Sequence, residues 1–114
     1  MKVTFLGTGT STGIPTIGVK RESCLSSDKR DNRLRSSILI EYKSKSILID
    51  CGPDFRQQML RINKTKIDAI FFTHEHADHT AGLDDIRPIS FHHGKIPIYA
   101  HQRVVDNLKN RFDY

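Results

Sequence analysis

The stretch Ile67-Asp68-Ala69-Ile70-Phe71-Phe72-Thr73-His74-Glu75-His76-Ala77-Asp78-His79 runs an apolar segment straight into a dense set of metal-ligand side chains. Ile67, Ala69, Ile70, Phe71 and Phe72 do not alternate with polar residues, which predicts a strand over Ile67–Thr73 covered on both faces. Strand ends are where α/β proteins place their sites. At the extended start, residues two apart point the same way, so His74 and His76 can grip one ion together. Where the chain then turns, Asp78 and His79 are carried in a different direction and can reach a second ion. Imidazole mixed with carboxylate suits Zn, Mn, Fe or Ni. Two such ions about 3.5–4 Å apart can hold a hydroxide between them and clamp a phosphoryl oxygen. A solvated histidine-rich turn would need neither the apolar strand before it nor the Gly82-Leu83 helix start after it. The single-helix protease pattern H-E-x-x-H is absent, because the fourth residue after His74 is Asp78.

Working outward, Ser46 to Asp50 and Ile38 to Tyr42 read as two strands of a hairpin joined by Lys43-Ser44-Lys45. Gly52-Pro53-Asp54 reads as a helix start with Pro53 in the first turn, and Phe55, Met59 and Ile62 give that helix one buried stripe. Downstream, a short helical piece over Ala81–Arg87 is expected to stop at Pro88. A strand follows at Ile96–Ala100, and then a helix over Gln102–Tyr114 with Val104, Val105, Leu108 and Phe112 on one face. Val3 to Leu6 forms the first strand. The glycines after it, Gly7, Gly9 and Gly13, do not match the dinucleotide fingerprint G-x-G-x-x-G. Strands first and then β-α-β-α-β-α make this a mixed α/β layer.

At 114 residues the chain is near the commonest size of a single domain. No apolar run approaches the ~18–20 residues of a membrane span, and the N-terminus lacks a secretory apolar stretch. Cys24 and Cys51 are too few for a disulfide scaffold and read as thiols. A cytoplasmic location without membrane association is expected. The net charge is +5. More than half of that surplus lies between Lys20 and Arg35, a polar loop able to attract an anionic substrate or nucleic acid.

The H-x-H-x-D-H pattern at 74–79 resembles that of the metallo-β-lactamase-fold hydrolases. Four further segments extend the likeness: Phe5-Leu6-Gly7-Thr8-Gly9, Arg35-Ser36-Ser37, Ile49-Asp50-Cys51-Gly52 and Gly82-Leu83-Asp84-Asp85-Ile86-Arg87. Together these are similar to the cyclic-phosphate phosphodiesterases of phosphonate breakdown, with the tRNA 3′-processing endonucleases as close relatives. The resemblance implies an αββα sandwich, of which residues 1–114 are the N-terminal half: one mixed sheet with flanking helices. It implies two divalent ions, Zn or Mn, the first on His74 and His76 and the second on Asp78 and His79. Asp78 and His79 thereby belong to the catalytic centre, and Asp50 orients a ligand histidine. The implied reaction is hydrolysis of a phosphodiester or another small anionic substrate. Thioester or lactone hydrolysis, and a non-catalytic metal- or nucleic-acid-binding role, are the alternatives.

Two departures from the family pattern matter. Relatives hold a structural zinc through G-C-x-C-x-x-C, whereas Gly18 here is followed by Val19, Arg21 and Cys24 at the cysteine positions. A lone thiolate cannot hold a structural zinc, so Cys24 is expected to be an ordinary loop thiol. The family also draws further ligands from chain beyond position 114. His92, His93 and His101 are not expected to replace them, although His101 follows a strand and can approach the rim of the site. The 114 residues alone are therefore expected to be inactive, with the apolar faces of the sheet and of the Gln102–Tyr114 helix left open to a second half or to self-association.

Overall fold

β-Branched and aromatic residues dominate the segments that pair into one five-stranded sheet in the computed structural model, which describes residues 1–114. The strands are β1 (Lys2–Gly7), β2 (Ser37–Tyr42), β3 (Lys45–Ile49), β4 (Ala69–Phe71) and β5 (Ile98–Tyr99), and they lie in that order across the sheet. β1, β2 and β3 are antiparallel neighbours, whereas β3, β4 and β5 run parallel. Parallel neighbours need crossovers, and helices supply them: α2 (Phe55–Ile62) between β3 and β4, and α3 (Ala77–Thr80) and α4 (Arg87–His93) between β4 and β5. A short α1 (Glu22–Leu25) lies in the long loop after β1, and α5 (Gln102–Arg111) follows β5. No helix is long and apolar enough to cross a membrane.

Alternation along each strand separates two faces. Leu39, Leu48 and Ile70 are in register across β2, β3 and β4 and are fully buried. They form one core with Phe55 and Met59 of α2 and Val104 and Leu108 of α5. The helices thus cover one face of the sheet. On the other face Phe5, Ile38, Ile49, Phe71 and Tyr99 line up in one cross-strand row. Phe5 remains 65% exposed and Tyr99 51%, and Phe71 stacks on Tyr99 with ring centroids 4.8 Å apart.

Several expectations are corrected. β4 pairs over only three residues and is covered on one face: Ile70 is buried while Phe71 is 40% exposed. Ile67 and Phe72 are buried outside the ladder, so the apolar run reflects core packing on both flanks of a short strand. Pro53 precedes α2, whose N-cap is Asp54. Pro88 does not stop a helix but occupies the first turn of α4, where its missing N–H costs nothing. A 3-10 turn over Leu83–Ile86 leads into it. His92 and His93 consequently sit exposed on a helix, not in a loop. The hairpin turn is shorter than expected, with Tyr42 paired to Lys45. The apolar stripe of α5 does not await an outside partner: Val104 and Leu108 are buried within this chain.

Candidate metal centre

The carboxyl ends of β3 and β4 lie side by side, and the motif residues emerge there. Asp50 directly follows β3 in the left-handed region, at φ 61°, and is buried. A non-glycine residue in that conformation costs of order 1–3 kcal/mol and persists only where its surroundings hold it. Here the backbone N–H of Asp50 donates to Phe71 O at 2.9 Å, and Ser37 Oγ donates to Asp50 O at 2.8 Å. The Asp50 carboxylate in turn accepts from the backbone N–H of Thr73 at Oδ1 (2.8 Å) and from the Thr73 hydroxyl at Oδ2 (2.8 Å). His79 Nδ1 lies 2.7 Å from the same Oδ2.

That contact fixes the ring of His79 and directs Nε2 outward, 3.1 Å from Asp78 Oδ2. On the facing side, His74 Nδ1 lies 2.9 Å from Thr73 Oγ1. The three imidazoles gather together: the His74 ring centroid is 4.0 Å from that of His79 and 4.7 Å from that of His76. The other acidic side chain of the motif, Glu75, turns away. Its own backbone N–H and then the Arg103 guanidinium hold its carboxyl below the usual carboxylate range, with Arg103 2.8 Å distant. Arg111 donates to Glu75 O and to Thr80 Oγ1, tying α5 to the turn that carries the histidines.

Close backbone approach keeps this turn against the end of β3. Cys51 N–H donates to His79 O at 2.8 Å, and Gly82 N–H donates to Cys51 O at 2.9 Å. A Cβ on Gly52 would strike the Asp78 carbonyl oxygen, and one on Gly82 would strike Gly52 O and Phe55. Burial, and then the nearby Asp85 and Asp50, push the Cys51 thiol well up, so it stays protonated and offers no thiolate ligand.

The donors fit a divalent metal in kind, imidazole nitrogen with carboxylate oxygen. They fit it incompletely in number, since nowhere do three or more His, Cys, Asp or Glu side chains converge to hold one ion. What the sequence motif assembles is pairs of donors, each with one imidazole held by a hydrogen bond: His74 by Thr73 and His79 by Asp50. His101 lines a cavity of about 280 Å³ with Thr73, His74 and Arg103, so it reaches the rim as expected. The largest hollow, about 690 Å³ between α2 and α4, contains none of the motif residues; His92 and His93 border it. The chemistry, not the size of the hollow, therefore locates the site. Within the basic loop, Arg35 is committed to structure, bonding Asp54 and Ser11 O, and Arg30 pairs with Asp28. Thr73 and Ser37 lie in segments that the sequence marks out, but the sequence alone assigns neither a role. The threonine's position directly before His74 is the signal that could have drawn attention to it.

The sequence pattern of the β-lactamase superfamily domain matches residues 45–114, which contain β3, β4 and the whole histidine segment. The chain belongs to the β-lactamase superfamily. A solved diphosphatase of the PhnP family aligns with this superfamily member at 50% identity and a TM-score of 0.94, covering 98% of the chain and 46% of that structure. The mixed sheet with helices is thus the metallo-β-lactamase architecture. An octanoyltransferase of Porphyromonas gingivalis is 47% identical over the entire chain, which spans 23% of that protein. Ribonuclease Z of Methanococcus aeolicus is 32% identical over 96% of the chain, which spans 31% of it. This β-lactamase-superfamily chain therefore spans less than half the length of each of these relatives.

Proposed function

We propose that this chain forms the metal-bearing part of a metal-dependent hydrolase that cleaves a phosphoryl ester or anhydride. The observation that supports it best is the oriented donor set at the joined ends of β3 and β4, with His79 held by Asp50 and three imidazoles gathered together. His74 and His76 would hold one divalent ion, Zn or Mn, and Asp78 and His79 a second. When bound, such ions supply Lewis acidity and activate water near neutral pH. Asp50 keeps the His79 ring turned so that Nε2 faces outward, and the packing of Gly52 on Asp78 keeps the carboxylate beside it. Further donors from the rest of the longer protein would complete each ion's set, because a catalytic zinc usually takes three protein ligands.

The substrate class follows from the diphosphatase and ribonuclease Z relatives, both of which act at phosphorus. The basic loop favours an anion, and of its residues Lys20, Arg21, Lys29 and Arg33 form no ion pair within the chain. A second reading, acyl ester or thioester chemistry, is favoured by the octanoyltransferase relative. The test is an assay of the full-length protein loaded with Mn or Zn. Bis(p-nitrophenyl) phosphate should be cleaved and acyl thioesters should not. Robust thioester cleavage without diesterase activity would overturn the proposal in favour of the second reading.

A further inference from the structure

Thr73 stands between two histidines assigned to different ions, and its hydroxyl has a single proton to give. Its two polar neighbours are Asp50 Oδ2 at 2.8 Å and His74 Nδ1 at 2.9 Å. A carboxylate can only accept, so the proton goes to Asp50, and the hydroxyl oxygen is left to accept from His74. The Nδ1 of His74 must then carry its hydrogen, which leaves Nε2 with its lone pair free. His79 differs: its Nδ1 faces Asp50 Oδ2 directly at 2.7 Å and its Nε2 faces Asp78 Oδ2 at 3.1 Å, so a carboxylate acceptor stands at each of its nitrogens. Asp50 itself is held by the Thr73 backbone N–H at its other oxygen.

We propose that Thr73 is a positioning residue: its hydroxyl relays the Asp50 carboxylate to His74, so that the buried acid that orients the His79 ring also sets the tautomer of His74. His74 thereby presents Nε2 as the ligand atom. The relay also ties the two donor pairs together, because any movement of Asp50 is felt at both. Partners of this kind behind a ligand histidine typically change metal affinity by about 10–100-fold when removed. The inference rests on the metal reading above for its purpose, but not for its geometry.

The test uses the metal-free full-length protein labelled with ¹⁵N. Long-range ¹H–¹⁵N spectra report which ring nitrogen bears the proton. Wild type should show the Nδ1–H form alone at His74. In Thr73→Val, His74 should become a mixture, and affinity for added zinc should fall about 10–100-fold. Thr73→Ser, which keeps the hydroxyl, should restore both readouts. A wild-type His74 protonated at Nε2 would overturn the proposal. So would a folded Thr73→Val variant with an unchanged His74 tautomer. If that variant does not fold, wild type and Thr73→Ser decide, since both must show Nδ1–H at His74. Should wild type bind no zinc at all, the metal reading falls, while the His74 tautomer still settles the part played by Thr73.

Discussion

Replacing His76 by alanine would remove one imidazole from a set in which no ion has more than two protein donors to spare. His76 is exposed and has no hydrogen bond to hold its ring, so its loss should leave the fold intact. The full-length His76→Ala protein is therefore expected to lose tight metal retention, while His93→Ala, altered on the exposed face of α4, keeps it. Elemental analysis of both after desalting decides the point, and equal loss in the two would undo the ligand assignment. At this scale the candidate donors could be named because ligand chemistry depends on residue type and close spacing. Asp50 could be placed only by resemblance, and its left-handed backbone was not foreseen. That conformation depends on Ser37 and Phe71, which meet it only after the strands pair.

Among the elements, the turn carrying Asp78 and His79 has little structure of its own, since α3 is four residues long. A helix that short gains almost nothing from its own hydrogen bonds, so packing must hold it. Gly52 against the Asp78 carbonyl and Gly82 against Gly52 supply that packing. Gly52→Ala should accordingly force the turn away from β3, costing about 1–3 kcal/mol as overpacking usually does. The variant should unfold at lower denaturant and lose metal affinity, whereas a stable protein with full affinity would show the turn to be held elsewhere. Periodicity found most elements but misjudged their ends. Pro53 and Pro88 each looked like a boundary marker, and only the three-dimensional path shows the first outside α2 and the second inside α4. The apolar run at 67–72 overstated β4 because burial outside a ladder leaves the same hydrophobic signature as burial within one.

For the molecule as a whole, one layer of helices on one face of the sheet leaves the other face without cover. The row Phe5–Ile38–Ile49–Phe71–Tyr99 would be costly to leave in water, and exposed apolar patches of this kind mark interaction surfaces. The expectation of an open sheet face was legible from the resemblance; that α5 would already be buried was not. Its 3.6-residue stripe announces an apolar face without saying what meets it. On the function proposed above, further chain would cover the sheet and bring the remaining donors. The 114 residues produced by themselves should therefore self-associate through the open face and hydrolyse phosphodiesters far more slowly than the full-length protein. A fragment carrying Phe5→Lys and Phe71→Lys should sediment as a smaller species than the unmodified fragment, because charge on that row opposes face-to-face contact. Sedimentation of both, with a diesterase assay on the unmodified one, tests the two halves of this expectation. A monomeric, cooperatively folding fragment with turnover equal to that of the full-length protein would refute it, for it would show that two donors per ion and a bare sheet suffice.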